Sequence, residues 1–487
     1  MHNFNNVSAP FSAEFLSLID DGSYTIESFD MDGSRKTISI SREPSPTFCP
    51  LCNNRMHSRG IYTRTVNHPI FQDGSTCILK VNQRKWRCPQ CNHYMNDSFP
   101  FLRKYVHYSD ITPLLILDAM KDLNRTTASV ARQFNISDTE AHNIFTSLVD
   151  LDRLPLTEYI SVDEVYLNIN HKRRYAFVII DFLSGQIIDI VPDRYRDTLD
   201  QYFYHIPLEE RKRVKGIISD MYKPYLELPK KYFPNAVTVI DSFHVTQFLI
   251  QKINIYINGV AKRYKEKNQK ELEKNNHDTN RDYQTIRDSK ELVLLKKFRW
   301  VLLKNQEDIK YSHRSHWHSS LHAYMTTERI EQEFLKLDSN FKTIRVLKEK
   351  FITFNHSTFN SEDQILHAMN LLIDEFKTSD ILLFNEFADF LKRYRIQYAR
   401  SFQKVLVHRS SINDASNYYS RLNNSYMESM NRKPKDYKRN TRGSTNFYYT
   451  RNRILWSTRD NPPIQAVPKS SKEVHSFKGK KRSPYNK

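Results

Sequence analysis

The chain has 487 residues, 39% of them hydrophobic and 13% aromatic, with a formal net charge of +19. That is length for about two to four domains with real cores. It excludes a disordered chain, and no apolar run approaches the roughly 18 residues of a membrane helix. The excess of Lys and Arg points to a polyanionic partner, nucleic acid before a membrane surface. Nothing in residues 1–12 reads as a secretory signal, so a cytoplasmic, nucleoid-associated protein is expected.

Residues 1–45 form a lead-in. Two alternating stretches, 24–29 and 36–41, flank Asp30, Met31, Asp32 and Gly33 as in a β-hairpin. Over residues 46–108 the pairs Cys49-Pro-Leu-Cys52 and Cys88-Pro-Gln-Cys91 bracket two strand-like runs, 61–66 and 77–86. Two Cys-x-x-Cys turns joined by a hairpin describe a zinc ribbon, with four thiolates around one Zn²⁺. Four structural thiols without a metal are the alternative. Cys77 sits mid-strand and reads as a small buried hydrophobe.

Residues 109–152 change to helical spacing. An apolar-periodic stretch at 111–123 is followed by 125–134, and a short turn leads to Ser137. Ser137 caps the next helix, and Glu140 three residues on completes a capping box. The spacing is that of a helix-turn-helix, with Thr139, His142 and Asn143 on the face that enters a DNA major groove. A plain helical hairpin is the alternative.

In residues 153–248, a short apolar run ends on Asp163, and strands at 175–182 and 186–191 follow, turned by Ser184 and Gly185. A helix at 198–205 leads to a run ending on Asp220, and a helix at 222–232 to one ending on Asp241. Three meandering strands, then helix, strand, helix, strand, is the order of a ribonuclease H-like α/β fold. Two aspartates at strand ends of one sheet supply half of a divalent-metal site. Pleat alternation turns Glu164 away from Asp163, so it is left out of that site.

Residues 249–410 read as a large all-helical insertion, whose mixed-charge stretch at 262–297 is a solvated face. Residues 411–460 return to the core with Glu428 among many cations, and 461–487 form a basic disordered tail.

Taken in order, the Cys-Pro-x-Cys ribbon, the helix-turn-helix, Val-Asp163-Glu164 and Ser219-Asp220-Met-Tyr-x-x-Tyr225 resemble a DDE-type insertion-sequence transposase of the ISL-three family. Asp241-x-Phe-His244-Val, Asn424-x-x-x-Glu428-x-x-Asn431, the Lys/Arg run and Gly443 continue the match, which spans about residues 45–456. The resemblance implies that Asp163, Asp220 and Glu428 are the catalytic acids and hold Mg²⁺ (or Mn²⁺). Asp163 would bridge two ions; Asp241 and His244 support the site. Ser429 stands where family members carry Gly, and Pro434 is expected to break or kink the helix about one turn beyond Glu428. Arg432, Lys435 and Arg439, with Lys433, Lys438 and Arg442, would neutralise phosphates near the scissile bond.

The function so implied is binding of terminal inverted repeats in double-stranded DNA, then Mg-dependent strand cleavage and strand transfer by a homodimer or higher oligomer. Two other functions compete: a catalytically inactive, transposase-derived DNA-binding regulator, and a resolvase or other ribonuclease H-like nuclease. The latter explains the core but neither N-terminal module.

Overall fold

A computed structural model of the chain describes residues 18, 22–32, 35–69, 76–169, 172–275, 289–411, 414–441 and 446–475. Gly33, Arg442, Gly443 and the end of the basic tail lie outside them. Two compact units emerge: residues 1–153, 166–175 and 432–487 form one, and 154–165 with 176–431 form the other. No helix among the described residues is long and apolar enough to cross a membrane.

The first unit opens with a five-stranded sheet. Strands Thr25–Asp32 and Arg35–Ser41 pair antiparallel, and the second runs parallel to Thr76–Arg87. Thr76–Arg87 also pairs antiparallel with His57–Pro69 and with the short strand Tyr94–Asn96. One face alternates Ile38, Ile40, Val66, Leu79 and Val81 into a core closed by Phe99 and Phe101, as the period of two requires. The hairpin of the lead-in therefore extends the same sheet that carries the cysteine pairs.

Helices Thr112–Ala119, Thr127–Gln133 and Asp138–Leu148 follow, with Phe447–Thr458 from the chain's end packed among them. Thr126 and Ser137 cap the second and third through the amides of Ser129 and Glu140. Buried Trp456 donates its indole N–H to the Leu117 carbonyl at 2.8 Å.

The second unit is built on a mixed sheet in the order Val237–Ile240, Gly216–Ser219, Tyr159–Tyr166, Tyr175–Asp181, Ile187–Val191. The first three strands are parallel to one another, and the last two are antiparallel. Helices Arg196–Tyr204 and Leu228–Tyr232 cover Ile160, Val162, Phe177 and Ile217 with Phe203 and Tyr232. From Ser242 the chain enters a helical region: Ser242–Asn275, Thr327–Leu335, Phe341–His356, Glu362–Thr378 and Leu382–Ala399 enclose Phe334, Phe341, Phe351, Phe376 and Phe387. It is not wholly helical, because His316–His318 and Ala323–Met325 form a small antiparallel ribbon.

The strands Lys404–Ser411 and Asp414–Arg421 make a second hairpin. Val407 within it and Leu422 after it pack on Ile218 and Val239 of the central sheet and on Phe182 at the end of one of its strands. This brings the chain back to the sheet just before helix Ser425–Asn440 begins.

Candidate active site

Asp163 lies within the central strand, which runs three residues past it, to Tyr166. Asp220 directly follows the neighbouring strand Gly216–Ser219. The two strands are parallel with Ser161 opposite Ile218, so two residues further along Asp163 stands opposite Asp220. Carboxylate oxygens of Asp163, Glu164 and Asp220 all lie within 4.8 Å of one another. Burial pushes the Asp163 carboxyl up to about 6, and the Glu164 and Asp220 charges push the same way against the hydrogen bond it accepts from the Glu164 amide. Hard oxygens that repel one another at this range suit a divalent cation.

Glu164 was expected to face away, and its carboxylate does not. Pleat alternation sets the direction of Cβ only, and the longer Glu164 side chain, two residues before the strand ends at Tyr166, brings its carboxylate to the other two acids. Both its oxygens are engaged: Arg194 donates to Oε1 at 2.5 Å and the buried Tyr225 hydroxyl to Oε2 at 2.7 Å. The Arg194 guanidinium also lies 4.8 Å from the centre of the Tyr222 ring.

Glu428 is exposed in the first turn of helix Ser425–Asn440, its amide bonded to the Asn424 carbonyl at 2.9 Å. Its carboxylate is not in the 4.8 Å group of Asp163, Glu164 and Asp220. Its charge nevertheless acts on Asp241, whose carboxyl is raised mainly by burial and further by Glu428. One turn on, the buried Asn431 donates its side-chain N–H to Asp163 Oδ2 at 2.7 Å. Residues three apart share a helix face, so the face carrying Glu428 is turned toward Asp163. The break expected at Pro434 does not occur; the helix continues to Asn440. The proline removes one backbone donor, the one that would reach the Met430 carbonyl, and the turns on either side hold.

Asp241 is fully buried, accepts from the Phe243 amide at 3.3 Å, and its Oδ2 has no hydrogen-bond partner among the described residues. The buried side chain of Asn424 likewise has none. His244 contacts Gln247 at 3.3 Å. The motif around Asn424, Glu428 and Asn431 was legible as a motif, but the bond from Asn431 to Asp163 links positions 268 residues apart. No local pattern announces such a bond. Arg194 was missed for the same reason, and Tyr225 stood only as a motif position with no role assigned to it.

In the first unit the four sulfurs of Cys49, Cys52, Cys88 and Cys91 converge. Cys49 to Cys91 is 3.5 Å, Cys52 to Cys88 is 3.4 Å and Cys52 to Cys91 is 3.5 Å. Each pair closes the same turn: Asn53 and Asn92 take positive φ of 56° and 60° and donate to the Cys49 and Cys88 carbonyls. The Cys91 amide draws the Cys88 thiol down to about 6, so a thiolate is favoured. Cys49 is lowered as well, whereas Cys52 and Cys91 are raised; four converging sulfurs on two Cys-x-x-Cys turns suit a closed Zn²⁺ site.

On helix Asp138–Leu148, Thr139 is exposed and Asn143 half-buried. The His142 ring lies 4.2 Å from the Tyr449 ring at 33°, packed against helix Phe447–Thr458. Arg432, Lys435 and Arg439 are exposed, and Arg439 pairs with Asp436 at 3.2 Å.

A protein-family model described as a transposase, of the DDE type found in ISL-three elements, matches residues 160–454. The transposase for insertion sequence element IS1001 of Bordetella parapertussis is 26% identical over 289 residues, 56% of this chain and 63% of the relative. The chain thus spans less than two thirds of that relative's length.

Proposed function

Because the chain belongs to the DDE transposase family of ISL-three elements, we propose that it binds the terminal inverted repeats of its element and catalyses Mg-dependent DNA cleavage and strand transfer. The observation that carries this reading is the facing pair Asp163 and Asp220 on adjacent parallel strands. The strand order, with three parallel strands continued by an antiparallel pair, supports a ribonuclease H-like core.

Asp163, Asp220 and Glu428 would hold the cation. A bound Mg²⁺ (or Mn²⁺) polarises the scissile phosphate and lowers the pKa of water. The residues of the chain do the rest. Asn431 fixes the Asp163 carboxylate in one orientation through its N–H. Arg194 and Tyr225 neutralise and pin Glu164, which limits like-charge repulsion beside the acids. Thr139 and Asn143 would read base edges, while Arg432, Lys435 and Arg439 would bind phosphates. Zn²⁺ on the four cysteines would hold the ribbon, and a homodimer or higher oligomer would assemble on DNA.

The test is incubation of the purified chain with supercoiled DNA carrying the element's ends. Nicking at the ends in Mg²⁺, abolished when Mg²⁺ is left out while DNA binding persists, is expected. Binding without nicking under every divalent cation would instead favour an inactive DNA-binding regulator.

A further inference from the structure

We propose that a groove on the cysteine-bearing sheet of the first unit binds unpaired nucleotides by stacking, separately from any reading of duplex DNA by the helices. This deepens the DNA reading above and rests on it. The groove has a volume of about 610 Å³ and is lined by Tyr62, Arg64, His93, Tyr94, Lys104 and Tyr105, among others. That size falls in the range of small-ligand sites.

Its most informative residue is Tyr105. The backbone there has φ of 64°, a conformation that bulky L-residues avoid. The strain is not offset by burial, because the ring is 87% exposed. It is imposed from below: the Arg64 guanidinium reaches up from the sheet to the carbonyls of Arg103, at 3.0 Å, and of Val106, on either side of Tyr105. A backbone held in a costly shape to project an aromatic ring into solvent is the arrangement of a contact surface.

Tyr62 and Tyr94 add two further exposed rings, 41% and 50% accessible. Tyr62 is oriented by its bond to Gln83 at 2.6 Å and by the Asn96 amide at 3.1 Å. Cations lie over the rings: Lys104 is 5.9 Å from the Tyr105 centroid, and Lys85 and Arg87 are 5.1 and 5.8 Å from that of Tyr94. The one carboxylate in the groove, Asp97, is turned inward, with Oδ1 accepting from the Trp86 indole at 2.7 Å and Oδ2 from the Arg84 amide at 2.9 Å.

Rings flanked by cations and stripped of free acids fit a ligand that is flat, aromatic and anionic. Nucleotides have that chemistry, and only unpaired ones offer a free base face, since duplex bases stack on each other. DNA ends and frayed or flipped positions supply them.

The experiment measures binding of the full chain to a short oligo(dT) and to a duplex carrying the element's end. Tyr105→Gly removes the ring and tolerates the positive φ, so the fold is kept; Tyr105→Trp restores an aromatic face. Tyr105→Gly should weaken oligo(dT) binding about ten-fold, with Tyr105→Trp recovering most of it and duplex affinity unchanged. Unchanged oligo(dT) affinity in Tyr105→Gly, with duplex binding intact, overturns the groove and leaves the DNA reading standing. Failure of the parent chain to bind either DNA overturns both. Displacement of oligo(dT) by an acidic peptide at equal concentration would assign the groove to a protein partner and overturn the proposal.

Discussion

At the scale of single residues, Asp163 carries the sharpest consequence. Its folded carboxyl titrates at about 6 against an ordinary 3.8, mainly through burial. A raised acid favours the protonated form, so its contribution to stability is fully present below pH 3.8 and is lost as pH rises through 6. Above that, the fold holds an unfavourable charge, which Asp163→Asn removes. Without metal at pH 7.5 this variant should be more stable than the parent by on the order of 1–3 kcal/mol, the gain vanishing near pH 4. Thermal melts at the two pH values measure it. A parent more stable than Asp163→Asn at pH 7.5 would show that Asp163 is not strained by its neighbours. Asn431→Ala removes the N–H that fixes Asp163. The expected result is weaker Mn²⁺ binding by titration calorimetry, about ten-fold for the loss of a hydrogen bond to a charged group, with DNA affinity unaltered.

At the scale of elements, the hairpin turn after Tyr175–Asp181 supports the Glu428 helix in a way its sequence does not announce. Ser184-Gly185 was readable as a turn. Its second role was not, because it depends on Tyr426, more than two hundred positions later. Gly185 has φ of 76°, and a Cβ there would lie 2.3 Å from the Tyr426 ring, which also packs under the Arg409 guanidinium at 4.4 Å. Gly185→Ala should therefore cost about 1–3 kcal/mol and displace the start of the helix two residues before Glu428. Cleavage should fall more than DNA binding. Equal loss of both would show general unfolding instead. The strands behind Asp163 and Asp220 were legible because apolar β-branched runs are local patterns, although the first continues to Tyr166 where it was expected to end on Asp163. The position of Glu164 was not, since the pleat gives the direction of Cβ and leaves the end of a long side chain open.

For the whole molecule, charge and cysteine chemistry set the expectations. With a net charge of +19, affinity for any DNA should fall by roughly ten-fold or more between 50 and 200 mM salt, as released counterions require. A flat salt response would argue against phosphate contacts. Metal analysis should find one zinc per chain. Chelation should expose residues 46–108 to proteolysis, because structural zinc contributes folding free energy directly; a folded, reduced sample without zinc would remove the ribbon's metal. The cysteine pairs were plain in the sequence because four ligands come in two short, fixed spacings. The return of the chain to the sheet after a long helical stretch was not readable from the residues themselves, and rested on resemblance until the packing of Val407 and Leu422 on Ile218 and Val239 was seen.

The most direct test of the proposed chemistry compares Mg²⁺-dependent nicking of end-bearing DNA by the parent chain with that by Asp163→Asn, Asp220→Asn and Glu428→Gln, at matched DNA occupancy. All three variants should bind DNA as the parent does and cut it several orders of magnitude more slowly, because each loses a charged oxygen ligand. Normal cutting by Glu428→Gln with both aspartate variants dead would remove Glu428 from the site, and normal cutting by either aspartate variant would contradict the mechanism itself.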